Sequence, residues 1–309
     1  MNRNLLIKHI DLHKSKLGSY KAVAEKCKIN VGSLSTIMAG KYGADEAKML
    51  QRIAVALDYR ESNWVIVPTI GNYRRIATVY NDAKNESMWF IISNKAGSGK
   101  TATMEDLFNH DTTGSVTLLQ AEEWSGRQFL NKLIEKIIGE SALQGRYKTI
   151  AQLTDIVANY FNDMGLERPI LKIDEADKLK PSALRTLIPI YNRTEDRLAV
   201  ILSGTENLEK EIRAGVKNKK KGYDELESRC GRTYIHLDGV NEKEIYEICA
   251  ANGIADVETV GMIWGELEKV YRNITTNTGK TVALPLVEDM RRIKRLIKRE
   301  LLKQNKQAA

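Results

Sequence analysis

Apolar and polar positions divide the 309 residues into four stretches. In residues 1–60, Leu5, Leu6, Ile10 and Leu17 recur at loose helical spacing. Ser19 then has the chemistry of an N-cap for a helix running to Cys27. After the short turn Lys28-Ile29-Asn30, a second helix is expected from Val31 towards Gly40. Val23, Ile29, Leu34 and Ile37 fit two short helices meeting across that turn, a helix-turn-helix in an all-α domain. Residues 61–87 join the parts. Val65-Ile-Val-Pro68 is extended, because the residue before proline avoids helix. A helix from Ile70 to Lys84 follows, with Tyr73, Ile76, Ala77 and Tyr80 on one stripe.

Between 88 and 238 the pattern alternates. Apolar runs at 89–92, 116–119, 170–173 and 198–202 read as strands, with 234–237 as a fifth. Helical patterns at 125–139 and 149–164 separate them. Short continuous apolar strands alternating with helices predict a parallel sheet covered on both faces. Residues 239–309 read as helical again. Asn241 and Glu244 form a capping box, and Leu286, Met290, Ile293, Ile297 and Leu301 fall on one helical stripe opposite a basic face.

Two strand ends carry chemistry. The run Trp89–Ile92 leads into Asn94-Lys95-Ala96-Gly97-Ser98-Gly99-Lys100-Thr101, the layout of a phosphate-binding loop between a strand and a helix N-terminus. Glycines let backbone N–H groups wrap a polyphosphate, the lysine brings a mobile cation, and the threonine hydroxyl can hold magnesium. The loop begins with Asn94 where the strict pattern has glycine. Asparagine tolerates left-handed backbone best among the other residues, so the turn survives. The run Ile170–Ile173 ends in Asp174-Glu175. An acid at a strand end can reach a magnesium's water shell, and its neighbour can polarise an attacking water. An acidic helix N-terminus is the bland account of the acid pair taken alone. Both motifs, in this order, predict an NTPase core that takes ATP and Mg2+.

Charge adds a partner. Residues 1–60 carry eleven Lys/Arg against five Asp/Glu, and residues 291–309 carry eight against one. With a total of +8, the middle is left mildly acidic, about −5 by difference. Basic ends on an acidic core suggest a polyanion held at the ends, against the plainer account of solvated helix faces. Ser33, Ser35, Thr36 and Lys41 lie on or beside the second helix of the helix-turn-helix, where phosphates and bases are reached but sequence is read weakly. The segment 213–222, with Lys217, Lys219, Lys220 and Lys221, is expected to be a flexible basic loop, either touching DNA phosphates or a partner protein, or simply solvated. Cys27, Cys230 and Cys249 are odd in number, far apart and without metal-ligand spacing, which suits reduced thiols. No run approaches a membrane span and the N-terminus has no apolar secretory core, so no membrane partner and a cytoplasmic setting are expected.

The NKAGSGKT loop, the ILKIDEAD strand, the LAVILSGTENL strand and the DELESRCGR segment follow the order of an AAA+ ATPase. With the small N-terminal helix-turn-helix and the overall size, the chain resembles the AAA+ ATPases that bind target DNA in transposition, the phage Mu B family. That resemblance implies an α/β AAA+ P-loop core with a C-terminal helical lid, preceded by an all-α helix-turn-helix domain. The domains would span 1–60, 61–87, 88–238 and 239–309. It implies that Lys100 contacts the β/γ-phosphates, that Thr101 and Asp174 hold the metal, and that Glu175 orients the hydrolytic water. Thr205 or Asn207 would sense the γ-phosphate, with Ser203 as a lesser choice. Arg229 would be a finger reaching a neighbour's nucleotide, with Arg232 in reserve, which requires self-association into a filament or ring. A sensor arginine of the lid stays open between Lys280, Arg291 and Arg292. The implied activity is ATP-dependent binding of double-stranded DNA, its delivery to a transposase, and release on hydrolysis. A helicase-loader ATPase and a nucleotide-switched DNA-binding regulator are the alternatives. The letters of Asp174–Asp177 also spell a DEAD-box, but only about 130 residues follow, too few for that family's second domain.

Overall fold

The computed structural model describes residues 3–43, 45–57, 59, 64–164, 167–275 and 281–307. The chain divides into two compact units, Met1–Trp64 with Asn109–Ser115, and Val65–Phe108 with Val116–Ala309.

The first unit holds helices α1 (Arg3–Leu17), α2 (Tyr20–Lys26), α3 (Val31–Met38) and α4 (Glu46–Ala56). Its core is Leu6, Ile10, Val23, Ala24, Leu34, Ile37, Leu50 and Ile53. The boundaries are set by caps. Ser19 Oγ accepts the Ala22 N–H at 3.1 Å, and Asn30 Oδ1 accepts the Gly32 N–H at 2.7 Å. The turn between α2 and α3 passes through Lys28, a left-handed residue at φ 53°. Ser35, Thr36 and Lys41 are exposed and Ser33 is half-buried. The Thr36 hydroxyl is turned back on its own helix, donating to the carbonyls of Gly32 and Ser33.

The second unit is built on five parallel strands: β1 (Trp89–Ser93), β2 (Val116–Gln120), β3 (Ile170–Asp174), β4 (Ala199–Gly204) and β5 (Tyr234–Ile235), in spatial order β2-β3-β4-β1-β5. Every residue of β3 and β4 is buried, as strands covered on both faces require. On one face lie α5 (Gly71–Glu86) and α6 (Lys100–His110), whose Ile76, Val79, Tyr80 and Met104 meet Ile92, Ile170 and Ile201. On the other lie α7 (Gly126–Ile137), α8 (Ile150–Asp163) and α9 (Pro181–Thr194), where Phe129, Leu133, Phe161 and Leu187 pack on Ile91, Leu171, Val200 and Leu202. Each of these larger side chains removes roughly 1.5–3 kcal/mol worth of apolar surface from water. Gln152 of α8 accepts the Thr149 N–H while Thr149 Oγ1 accepts the Gln152 N–H, fixing where α8 starts.

Two expectations need correction. The basic segment 213–222 is not a flexible loop. Helix α10 (Glu206–Lys217) carries it to Lys217, and α11 (Tyr223–Arg229) begins just beyond. The turn between them is tight, with Lys219 left-handed at φ 51° and the Lys220 N–H returning to the Gly215 carbonyl at 2.9 Å. Buried Leu208, Ile212 and Gly215 define the inner face of α10, a helical signal that the lysines mask. Lys217, Lys219, Lys220 and Lys221 are exposed on this turn.

Nor is the C-terminal part wholly helical. After α12 (Glu242–Ala251) and α13 (Val257–Glu266) comes an antiparallel pair, β6 (Val270–Thr275) and β7 (Thr281–Leu286), before the long helix α14 (Met290–Gln307). Val270, Ile274, Thr281 and Val282 are β-branched and Pro285 cannot continue a helix, so this stretch prefers strands. Leu286 therefore ends β7 and is not part of the α14 stripe.

Candidate nucleotide-binding site

Strand register gathers the site. Ser93 pairs with Gly204 and Gln120 with Asp174, so the C-terminal ends of β1, β2, β3 and β4 open side by side. This is where a parallel sheet places its ligand. The loop 94–99 leaves β1 there and enters α6 at Lys100.

Asn94 does not adopt the left-handed backbone that its glycine-like position suggested; only Gly97 (φ 86°) and Gly99 (φ 91°) do so in this loop. Its role is in its side chain. The Asn94 amide oxygen accepts the Leu237 N–H at 3.4 Å, and its own N–H donates to the Gly204 carbonyl at 3.3 Å, tying the loop to both neighbouring strand ends. Gly97 is needed twice over. Besides its positive φ, a Cβ there would stand 2.6 Å from Asp289 Oδ1. The Gly97 carbonyl accepts the Met290 N–H at 2.9 Å, so the start of α14 is fastened to the loop.

Lys100 is buried, and its ammonium donates to Asn94 O (2.7 Å), Lys95 O (3.0 Å) and Ser98 Oγ (3.0 Å). Three oxygens thus use the three donors that phosphate oxygens would otherwise take. Burial pulls its pKa down, against the opposing fields of Asp174 and Asp177. Thr101 Oγ1 donates to Asp174 Oδ2 at 2.5 Å, and Asp174 Oδ1 accepts from Ser203 Oγ at 2.9 Å and from the Glu175 N–H at 3.0 Å. A hydroxyl and a buried carboxylate meeting at a phosphate loop fit magnesium, which takes few protein oxygens and fills its shell with water and phosphate. Among the described residues no group of three or more His, Cys, Asp or Glu forms a closed metal cage.

Glu175 sits at φ 54°, left-handed, just beyond β3. Its Oε2 accepts from Lys178 Nζ at 2.6 Å and from Gln120 Nε2 at 3.1 Å. The Lys178 hydrogen bond, more than any other influence, holds its carboxyl below the usual carboxylate range. The carboxylate is thus ionised but latched by two side chains. Sequence reasoning missed both partners. Gln120 could have been found as the polar residue that closes the apolar run of β2, as Asp174 closes β3.

The expected sensor residues are placed differently from one another. Thr205 caps α10, its hydroxyl donating to Asp177 Oδ2 at 2.8 Å, and Asn207 is exposed on the first turn of α10. Ser203, the lesser choice, touches Asp174. Arg229 lies away from these groups. Its guanidinium stacks on Tyr191 (4.7 Å to the ring centre), donates to Asn192 Oδ1 at 3.1 Å and lies 3.6 Å from Glu225. Its buried Nε has no acceptor. Arg232 is taken up by Asp224 and Glu227. Of the lid candidates, Lys280 lies outside the described residues, and Arg292 lies 3.9 Å from Glu266. Arg291, in the first turn of α14, is close enough that its charge lowers the proton affinity of both Lys100 and Glu175.

Residues 86–212 match the AAA domain family. The fold is AAA+. Solved structures with similar folds include Cdc6p from Pyrobaculum aerophilum (15% identity, 58% of this chain and 48% of that chain, TM-score 0.42). The Aeropyrum pernix Orc1 protein in complex with DNA is another (13% identity, 79% and 62%, TM-score 0.46). A third is a Walker-type ATPase of Pyrococcus abyssi (12% identity, 68% and 66%, TM-score 0.47). The chain spans about half to two thirds of the length of these proteins. No curated protein matches it.

Proposed function

We propose that this chain is an ATP-hydrolysing switch that holds double-stranded DNA in its ATP state and delivers it to a transposase. The observation that carries the reading is the convergence of Lys100, Thr101, Asp174 and Glu175 at the C-terminal end of the sheet of an AAA domain. The sequence-level likeness to transposition ATPases and the two basic ends support the DNA part.

ATP enters the loop 94–101, and Lys100 exchanges the Asn94, Lys95 and Ser98 oxygens for phosphate oxygens. Thr101 and Asp174 would hold magnesium, which draws off charge developing on the phosphoryl oxygens. Glu175, released from Lys178 and Gln120, accepts a proton from water as the water oxygen bonds the γ-phosphorus. The bond from that phosphorus to the β–γ bridging oxygen breaks, leaving ADP and phosphate. Arg229 is proposed to serve a neighbouring protomer in a filament or ring, because within its own protomer it is stacked on Tyr191. Removing such a finger costs roughly 10³–10⁵ in rate in related phosphoryl transfer.

The test is duplex binding by two variants. Glu175→Gln is expected to accumulate the ATP-bound, DNA-bound state, and Lys100→Ala to lose it. Equal binding by both, with or without ATP, contradicts the coupling.

A further inference from the structure

The C-terminal helix α14 carries eight basic residues, and the fold sorts them into two rows. Ile293, Leu296 and Ile297 are fully buried, so the helix is already seated on its apolar side. Along one flank of that side three cations share two carboxylates. Arg299 pairs with Glu266 at 2.5 Å and Glu300 at 2.7 Å, Lys303 with Glu300 at 3.0 Å, and Arg292 lies 3.9 Å from Glu266. The outer row is different. Arg291, Arg295, Lys298 and Lys306 are all exposed, and none has an ion-pair partner among the described residues. Their spacing of four, three and eight residues places them on one face, and the row spans about 22 Å at the helical rise. Lys294 borders it, its pKa lowered by burial and then by the charge of Lys298.

Like charges at such spacings weaken a helix by a few tenths of a kcal/mol per pair, so self-stability does not account for the row. A line of unpaired cations matches a line of phosphates. A basic amphipathic helix can instead lie on an anionic membrane, but that mode needs a free apolar face to insert, and among the described apolar residues of α14 only Leu302 is exposed. The row also begins at the nucleotide site, since the Met290 N–H is bonded to the Gly97 carbonyl.

We propose that the outer face of α14, through Arg295, Lys298 and Lys306, is a contact surface for the phosphate backbone of double-stranded DNA. This inference rests on the reading that the chain binds duplex DNA, and it names the surface. Three charges aimed at phosphates give sequence-tolerant, salt-sensitive binding.

The experiment is a salt titration of the affinity of the full chain, with ATP, for a short labelled duplex. Wild type is compared with Arg295→Ala/Lys298→Ala/Lys306→Ala and with the charge-keeping Arg295→Lys/Lys298→Arg/Lys306→Arg. The alanine variant is expected to bind more weakly, with a log–log salt slope shallower by about 0.9 per lost contact, about 2.7 in all. The charge-keeping variant should restore the slope, and DNA-free ATP turnover should be unchanged in both. A wild-type slope in the alanine variant overturns the surface while leaving DNA binding intact. So does loss of binding in both variants, because charge is then not the cause. Loss of phosphatidylserine-vesicle binding with duplex binding retained would make the face a membrane contact and overturn it too. Failure of wild type itself to bind the duplex removes both this inference and the reading beneath it.

Discussion

Glu175 is held by Lys178 and Gln120 in a geometry that keeps it charged. A depressed carboxylate pKa means the anion persists as pH falls below the ordinary range near 4.3. The interaction stabilises the fold above the unfolded pKa, and it is lost as pH falls through the lower folded value. In ATP hydrolysis the acid limb of kcat/KM, which reports the free protein, should therefore lie below the ordinary carboxylate range. Lys178→Met should move that limb upward, towards an unperturbed glutamate. A limb that does not move would show that Glu175 is not the group that titrates. Asn94 shows what one residue type conceals. Its place in the loop was legible, yet its reason for being there, a hydrogen bond its side-chain oxygen accepts from the Leu237 N–H, depends on β5 lying alongside β1, which no local pattern reveals.

At the scale of elements, the contact between α10 and α11 depends on Gly215. A Cβ there would lie 2.3 Å from the Tyr223 ring, and that ring is pinned because its hydroxyl donates to Glu211 at 2.6 Å. Gly215→Ala should cost about 1–3 kcal/mol in urea unfolding, as overpacking does. An unchanged midpoint would mean the two helices separate freely. The strands of the core were legible because buried parallel strands are continuous apolar runs, as in Trp89–Ile92 and Leu198–Leu202. The helical nature of 213–217 was not, because exposed lysines on the outer face outweigh the few buried positions that define the inner one. The pair β6 and β7 was missed for another reason. Its residues are largely exposed, so apolar periodicity, the main sequence signal, is faint there.

Over the whole molecule, the three thiols are buried in three separate places, Cys27 beside the α2–α3 turn, Cys230 after α11 and Cys249 in α12. Burial raises all three, Cys230 to about 12 and Cys249 to about 11. Near pH 8, where an exposed thiol of pKa about 8.5 is partly thiolate, the native chain should resist a thiol reagent and the unfolded chain should react at all three. A rapidly reacting thiol in the native protein would contradict this packing. No described helix is long and apolar enough to cross a membrane. Charge and motif together were legible enough to predict a nucleotide site at the ends of β1 and β3. Which of Arg291 and Arg292 lies near Lys100 and Glu175 was not, because the two differ only in how α14 is rotated, and that rotation is set by Ile293, Leu296 and Ile297 packing beneath it. The central claim, that ATP governs assembly on duplex DNA, is tested most directly by electron microscopy of the chain with duplex DNA under ATP, ADP and no nucleotide. Assemblies along the duplex with ATP alone, lost in Arg229→Ala, are the predicted result. Closed rings on single strands, or assemblies indifferent to nucleotide, would contradict it.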